Sequence, residues 1–313
     1  MEVIMGLESV KPAHQDAVLC LGFFDGLHLG HRRIVQTARE LGTDLGRKVM
    51  FATFDRHPNA VLRPEKIPPL LTTLSEKEEI AESLGIDFFL VLVFDPAFSR
   101  FSRENFVQAV LFNALNVRAV AAGYNYRFGA HKSGDISFLA RMGERYGFTV
   151  VSVPPVMDGD APISSTRIRD CLRKGQIEAA ARYLGQSYSL RGTVVEGAHR
   201  GKPLGFPTAN IAVAVGKAIP QSGVYACRVD VGGTEKLSVT NIGTRPTFKD
   251  EGLVVETHIL DFQGDLYGQP LTVFFEARLR GERKFASPDA LKAQVQQDIK
   301  AARTLRASPA PKS

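Results

Sequence analysis

The chain has 313 residues, 44% hydrophobic and 23% charged, with a mean hydropathy of −0.06. This composition excludes intrinsic disorder, which needs low hydrophobicity with high net charge, and no apolar run approaches the roughly 20 residues that span a bilayer. Lys and Arg number 39 against 33 Asp and Glu, a net charge of +6; the basic residues are spread along the chain rather than gathered with aromatics, so small anionic ligands are expected and nucleic acid is not.

The length suits two domains of about 150 residues each. The opening MEVIMGLESV carries Glu2 and Glu8 and no basic stretch ahead of a long apolar core, so no signal peptide is read and a cytoplasmic location without membrane partners is expected. The three cysteines, Cys20, Cys171 and Cys227, are odd in number, far apart and without CxxC spacing, which argues against disulfide or metal roles.

Ala17–Phe24 is an apolar run that predicts a buried strand, followed by a glycine-containing turn and a helix over His28–Gly42. Arg47–Phe54 predicts a second strand. Ser75 and Glu78 have capping-box spacing at the start of a short helix ending at Leu84. Asp87–Phe94, Val117–Gly123 and Phe148–Val153 read as further strands, with helices over Arg103–Leu115 and Asp135–Tyr146 between them. Strands alternating with helices imply βαβ units and a parallel sheet covered on both faces. Such sheets bind ligands beyond the carboxyl ends of their strands.

Ile163–Leu184 predicts helix in two pieces broken at Gly175, and the texture then changes. Ser189–Val195, Gly223–Val231, Lys236–Ile242, Val254–Phe262 and Leu271–Arg278 follow one another without intervening helices. They predict a small antiparallel barrel or sandwich. An amphipathic helix over Pro288–Leu305 and a tail over 307–313, expected to be disordered, close the chain. The halves are expected to meet near Gly185–Ser187, giving domains over 1–186 and 187–306.

Leu21-Gly-Phe-Phe-Asp-Gly-Leu-His-Leu-Gly-His31 lies where the first strand meets the first helix. Gly22, Gly26 and Gly30 let backbone approach a ligand, and a helix N-terminus offers N–H groups to a phosphate. His28 and His31 share a helix face, from which imidazoles can donate to phosphate oxygens. Two other readings stay open: a zinc pair with Asp25 as third ligand, and structural histidines at a helix start. Neither GxGxxG nor GxxxxGK[ST] is present, which argues against a dinucleotide or Walker site; Gly197-Ala-His-Arg-Gly-Lys-Pro203 is one residue short.

GFFDGLHLGH resembles the Gly-x-Phe-Asp-Gly-x-His-x-Gly-His signature of the nucleotidyltransferases, and Ile163-Ser-Ser-Thr-Arg-Ile-Arg169 resembles their Ile-Ser-Ser-Thr-x-x-Arg. The resemblance implies that His28, His31 and Arg169 stabilise charge in the reaction. It places Gly22, Phe23, Phe24, Asp25, Gly30, Ser164, Ser165 and Thr166 on ATP. Thr53-Phe-Asp-Arg-His-Pro58 and Gly123-Tyr-Asn-Tyr-Arg-Phe-Gly129 each follow a predicted strand and could line the same rim. The second is similar to a Gly-x-Asn-Phe-x-Phe-Gly segment of the prokaryotic bifunctional riboflavin kinase/FAD synthetases, with Tyr126 in place of a phenylalanine. By that likeness Asn125 holds nucleotide, Phe128 stacks on the isoalloxazine, and His57 and Pro58 contact flavin. Read without the likeness, an aromatic beside a glycine turn is a core residue.

In Gly201-Lys-Pro-Leu-Gly-Phe-Pro-Thr-Ala-Asn210, Gly205 and Pro207 fix the backbone while Thr208 and Asn210 offer two neutral oxygens to one side of an extended segment. Mg²⁺ prefers such ligands and shares them with nucleotide phosphates; a simple Pro-Thr turn is the alternative. The segment resembles the Gly-x-Pro-Thr-Ala-Asn motif of riboflavin kinases. Gly223-Val-Tyr-Ala226, Asn241-Ile-Gly-Thr-Arg-Pro-Thr-Phe248, Val255-Glu-Thr-His-Ile-Leu-Asp-Phe262 and Asp265-Leu-Tyr-Gly268 follow in the family's order. The likeness implies an ATP/Mg²⁺ loop of Gly201, Gly205, Pro207, Thr208 and Asn210, flavin contact by Arg245, and Glu256 as general base.

Together the likenesses imply a Rossmann-like α/β parallel-sheet nucleotidyltransferase domain, then a small antiparallel β-barrel riboflavin kinase domain with a C-terminal helix. The expected substrates are ATP, riboflavin and FMN, with FAD as product and Mg²⁺ as cofactor. A single active domain, or a non-catalytic flavin-binding module, are the rival readings. A homo-oligomer stays open.

Overall fold

The computed structural model describes residues 1–197, 205–244 and 253–307. They fall into two compact units, Met1–Ser165 and Thr166–Ser313.

The first unit is built on a six-stranded parallel sheet of order β1-β4-β3-β2-β5-β6. Its elements in chain order are β1 (Glu2–Met5), β2 (Val18–Leu21), α1 (Leu29–Leu45), β3 (Val49–Phe54), α2 (Asn59–Leu62), α3 (Leu74–Ser83) and β4 (Phe88–Leu92). There follow α4 (Arg103–Asn105) running into a π-helix (Phe106–Ala114), β5 (Ala119–Gly123), α5 (Ile136–Tyr146) and β6 (Thr149–Val153). A two-stranded ribbon, β7 (Met157–Asp158) and β8 (Ala161–Pro162), ends the unit.

The apolar runs are continuous because both sheet faces are covered. Val18 and Cys20 of β2 face Ile34, Val35 and Ala38 of α1 and Ala81 of α3, whereas Leu19 and Leu21 join the cluster of Phe106, Val110, Leu111 and Leu139 on the other side. Successive strand residues point to opposite faces, so one short run supplies two cores.

Two expectations are adjusted. The first strand ends at Leu21 rather than Phe24, because Phe24, Gly26 and Leu27 all take positive φ (54°, 86° and 39°). The box that starts α3 is Thr73 with Glu76, not Ser75 with Glu78. Both pairs have the same spacing, and bonds of neighbouring Leu71 and Thr72 to Asp25 hold the chain where the helix starts. β1 was not expected: its burial is confined to Ile4, so the pattern is too short to read.

The second unit begins at Thr166, one residue into α6 (Ser165–Arg173), and continues through α7 (Ile177–Leu184), the two helices separated at Gly175 (φ 67°) as expected. A closed barrel follows, of order β10-β13-β12-β11-β14-β9, with β9 pairing back to β10. Its strands are β9 (Tyr188–Val195), β10 (Ala209–Val213), β11 (Gly223–Val231), β12 (Thr234–Thr244), β13 (Leu253–Ile259) and β14 (Pro270–Arg280). Closure leaves no unpaired sheet edge. Leu190, Tyr225, Val229, Val273 and Phe275 are fully buried. Helix α7 packs on β9 and β14, and Leu172 C=O accepts from Gln221 N–H at 2.9 Å, so both helices group with the barrel.

Helix α8 (Pro288–Ala307) lays Ile299 and Ala302 against Val224, Ala226 and Val239 on the barrel's outside. The Arg280 guanidinium grips the buried Asp298 carboxylate at 2.8–3.1 Å. The tail expected over 307–313 lies, from residue 308, outside the described residues.

Candidate functional site

Sheet order reverses at β2: the chain runs β2, β3, β4 to one side, then returns to place β5 on the other. The Gly22–His31 segment follows β2 and Gly123–Gly129 follows β5, so the two lie at the switch point where open α/β sheets bind ligands. Thr53–Pro58 leaves β3 at the same edge.

His28 is the N-cap of α1, and its Nδ1 accepts the His31 N–H at 3.4 Å. A neutral His28 therefore carries its proton on Nε2, as a donor. The two imidazoles stack with centroids 3.7 Å apart, and Gly30 permits this because a Cβ there would lie 3.1 Å from the His28 ring. Burial lowers the His28 pKa to about 4, against the pull of the Asp25 carboxylate. Burial, then His28, then the Lys77 ammonium hold His31 well below the usual imidazole range. Both rings are thus neutral near pH 7 in the free protein. His31 Nδ1 is buried and meets no hydrogen-bond partner among the described residues.

Asp25 faces inward and is 3% exposed. Its Oδ1 accepts from Leu71 N–H (2.9 Å), Thr72 N–H (3.1 Å) and the Thr72 hydroxyl (3.4 Å). That carboxylate clamps the turn to the chain ahead of α3. The zinc reading loses its third ligand by this geometry, and among the described residues no group of three or more His, Cys, Asp or Glu could hold a metal. The Ser165 hydroxyl donates to Asp25 C=O at 2.9 Å, which joins the two motifs. Ser164 and Ser165 end the first unit; Thr166 and Arg169 lie on α6 in the second.

The remaining rim residues separate by exposure. Phe24 is 1% exposed and packs on Phe51 and His31 under the turn, so only its backbone can meet a ligand. Gly22 leaves room for that ring. Phe23 is partly buried and meets His57 edge to face at 4.9 Å. His57 Nδ1 accepts Asn59 N–H at 3.0 Å, and Pro58 is the N-cap of α2. Asn125 is exposed. Phe128 lies within the core between Phe106, Tyr126 and Phe138, as an aromatic beside a glycine turn usually does. Stacking on isoalloxazine requires this ring to be uncovered.

Two residues of this site were not read from the sequence as functional. Thr53 Oγ1 and Lys77 Nζ both donate to Phe23 C=O, at 3.0 and 2.9 Å. Lys77 sits among Glu76, Glu78 and Glu79 in the chain, which reads as a solvated helix face; nothing in the spacing marks it as 3% exposed.

In the barrel, register decides the second constellation. Asn210 of β10 pairs with Glu256 of β13, and Glu256 pairs with Asn241 of β12. Cross-strand partners share a sheet face, so amide, carboxylate and amide form one row. Asn210 is buried because Gly197 closes over it: a Cβ at 197 would lie 2.0 Å from its Nδ2. The His258 ring hydrogen-bonds Pro207 C=O at 2.8 Å, so its Nδ1 carries the proton and holds the segment leading to Thr208. Gly205, exposed, turns that segment with φ 87°. Thr208 lines a cavity of about 500 Å³ with Val194, Pro207, Thr257, Phe262 and Tyr267. Gly201 and Arg245 lie outside the described residues.

The side-chain oxygens of Thr208 and Asn210 are hard donors of the kind Mg²⁺ accepts, few enough for the ion to keep water and phosphate in its shell. The donor set fits the expected ion.

A paired-histidine helix start at the switch point of a parallel sheet, followed by a barrel with an amide–carboxylate row, defines a two-unit enzyme class that handles nucleotides. The chain matches the FAD synthetase family over residues 10–167 and the riboflavin kinase family over residues 184–306. It is 36% identical over 308 residues to the bifunctional riboflavin kinase/FMN adenylyltransferase of Pseudomonas fluorescens, covering 98% of each chain. The protein of the same name from Escherichia coli (strain K12) is 37% identical over 305 residues, covering 97% of each. A crystal structure from Streptococcus pneumoniae, described as a macrolide-efflux protein, matches with TM-score 0.88 and 29% identity over 97% of this chain and 99% of that one. The chain belongs to the bifunctional riboflavin kinase/FMN adenylyltransferase family. Among the described residues no helix is long and apolar enough to cross a membrane.

Proposed function

We propose that this chain phosphorylates riboflavin to FMN with ATP in its barrel and joins FMN to AMP from a second ATP in its α/β unit, giving FAD and pyrophosphate. The observation that carries the reading is the match of both families, in order, with relatives aligned over 97–98% of the chain. We assign residues 1–186 to adenylylation and 187–306 to the kinase, with 307–313 outside both. The enzyme acts in the cytoplasm on small molecules, without nucleic acid or membrane partners; a homo-oligomer is compatible with both sites.

In adenylylation, an FMN phosphate oxygen forms a bond to the α-phosphorus of ATP as the bond to the β-phosphate oxygen breaks. Neither motif offers a covalent nucleophile, so catalysis is by positioning and charge stabilisation. His28 donates from Nε2, His31 from its ring, and the start of α1 presents backbone N–H groups to the phosphates. Ser164, Ser165, Thr166 and Arg169 contribute hydroxyls and a guanidinium to the triphosphate. Gly22, Phe23, Phe24, Asp25 and Gly30 shape the turn, with Phe24 and Asp25 acting through backbone and clamp. Asn125 holds the nucleotide; His57, Pro58 and Phe128 flank the flavin, Phe128 after its ring is uncovered.

In the kinase, Glu256 accepts the proton of the ribityl 5′-hydroxyl while that oxygen bonds to the γ-phosphorus and ADP leaves. Thr208 and Asn210 hold Mg²⁺, which when bound neutralises charge on the nucleotide phosphates. Gly201, Gly205 and Pro207 shape the loop, and Arg245 contacts flavin.

The test is a time course with riboflavin, ATP and Mg²⁺, separating flavins chromatographically. FMN rising and then giving way to FAD is the expected result. FMN alone leaves the first unit without its assigned activity, and conversion of neither riboflavin nor supplied FMN defeats the reading.

A further inference from the structure

Lys77 is the buried cation of the first unit that the reaction as written does not use. It reaches from α3 to the β2–α1 turn, where its Nζ donates to Phe23 C=O at 2.9 Å and lies 3.7 Å from the centroid of the Phe23 ring. On the other side of the turn the chain just before α3 holds Asp25 and Gly26, through Leu71 N–H, Thr72 N–H and the Thr72 hydroxyl. Residues 71–77 therefore grip the phosphate turn from both ends.

Removing an ammonium from water costs several kcal/mol, repaid only by charge pairing and hydrogen bonds. Satisfying Phe23 C=O does not require a charge, because the Thr53 hydroxyl already donates to it at 3.0 Å. A carbonyl bond and a ring contact alone would be met by a neutral side chain of similar length. What a neutral residue cannot supply is a fixed positive charge behind the turn whose other side faces the bound phosphates. In a water-poor setting such a charge is weakly screened and needs no reorganisation as the reaction proceeds.

Resting on the adenylylation reading above, we propose that Lys77 is a positioning residue of that site. It fixes the backbone of the Phe23–His31 turn through the Phe23 carbonyl and places a positive charge behind the turn at neutral pH, without touching substrate. Asp25, held by Leu71 and Thr72, keeps the buried cation balanced and fixes the opposite end of the same turn. The burial of Lys77 lowers its pKa to about 8, with Asp25 opposing the fall, so the ammonium form predominates at neutral pH.

The test uses the full chain with Lys77→Met, Lys77→Gln and Lys77→Arg, measuring FAD formation from FMN and FMN formation from riboflavin in parallel. Met removes donor and charge, Gln keeps a donor without charge, and Arg keeps both. Met and Gln are expected to lower kcat for FAD formation on the order of tenfold, less than the roughly hundredfold typical of a direct donor. KM for ATP should stay within about threefold and the kinase rate should be unchanged, while Arg recovers most of the loss. Wild-type kcat in Lys77→Gln, or Lys77→Arg no better than Lys77→Met, overturns the proposal. Failure of all three variants to fold assigns the lysine to stability alone and overturns it too. A wild-type protein that makes FMN but no FAD defeats the adenylylation reading itself, a result distinct from either.

Discussion

The Ser165 hydroxyl donates to the backbone carbonyl of Asp25 across 140 residues of chain. This one bond sets Ser165, at the end of the first unit, against the turn that precedes α1, so residues distant in sequence meet at one edge of the sheet. The Asp25 side chain cannot serve the same purpose, since it is committed to Leu71 and Thr72. Backbone and side chain of a single residue thus tie together three segments.

Ser165→Ala should therefore remove a neutral hydrogen bond, a stability effect of about 1 kcal/mol, yet lower FAD formation by a larger factor because Ser165 is no longer held against the turn that precedes α1. Steady-state FAD synthesis and thermal unfolding of the same preparation check this. An activity loss no greater than the stability change would show that the bond serves folding only.

His31→Ala should lower FAD formation by about 10²–10³ while sparing the kinase, as expected for loss of a donor to developing charge. Glu256→Ala should do the reverse, lowering FMN formation by about 10²–10⁴ and leaving supplied FMN convertible to FAD. Parallel assays of both half-reactions decide it. Equal loss of both activities in either folded variant contradicts two separate sites.

The neutral, buried His28 makes stability depend on pH. Unfolded, this ring titrates near 6.5; folded, it titrates at about 4. Between those values the unfolded chain binds more protons, so stability rises with pH. The contribution is complete above pH 6.5 and is lost as pH falls towards 4, amounting to about 3 kcal/mol. Urea unfolding between pH 4.5 and 7.5 should show a steeper slope for the wild type than for His28→Asn. Parallel slopes would mean that the ring is solvated.

Arg280 and Asp298 form the buried pair that fastens α8 to β14. Arg280→Leu alone should destabilise the barrel by about 3–5 kcal/mol by leaving the buried Asp298 carboxylate, to which Gln294 also donates, without its counter-charge, whereas the double change to Leu at both positions should be close to neutral. A double-mutant cycle on the barrel's unfolding transition measures this. FAD formation from supplied FMN should persist in all three variants.

Much of this was legible in the sequence. The parallel-sheet strands announce themselves as apolar runs because both faces are buried, and the barrel strands because they recur without helices between them. Gly-Leu-His-Leu-Gly-His and Gly-Phe-Pro-Thr-Ala-Asn are local, so spacing alone marks them. Phe24 and Phe128 show the limit of that method. Each stands inside a motif, yet each ring is in the core, and a sequence does not say which side of a turn an aromatic takes.

What the sequence by itself determined was the order of two units, the nature of their sheets and the residues whose spacing is set by one helix turn or one strand. Tertiary structure decided the rest. It placed Lys77 under the β2–α1 turn, turned Asp25 inward, and set Asn210, Glu256 and Asn241 in one row by strand register. The physical reason is range. Periodicity and capping act over a few residues, whereas burial of a charge and pairing of distant strands depend on which surfaces meet when the chain closes on itself.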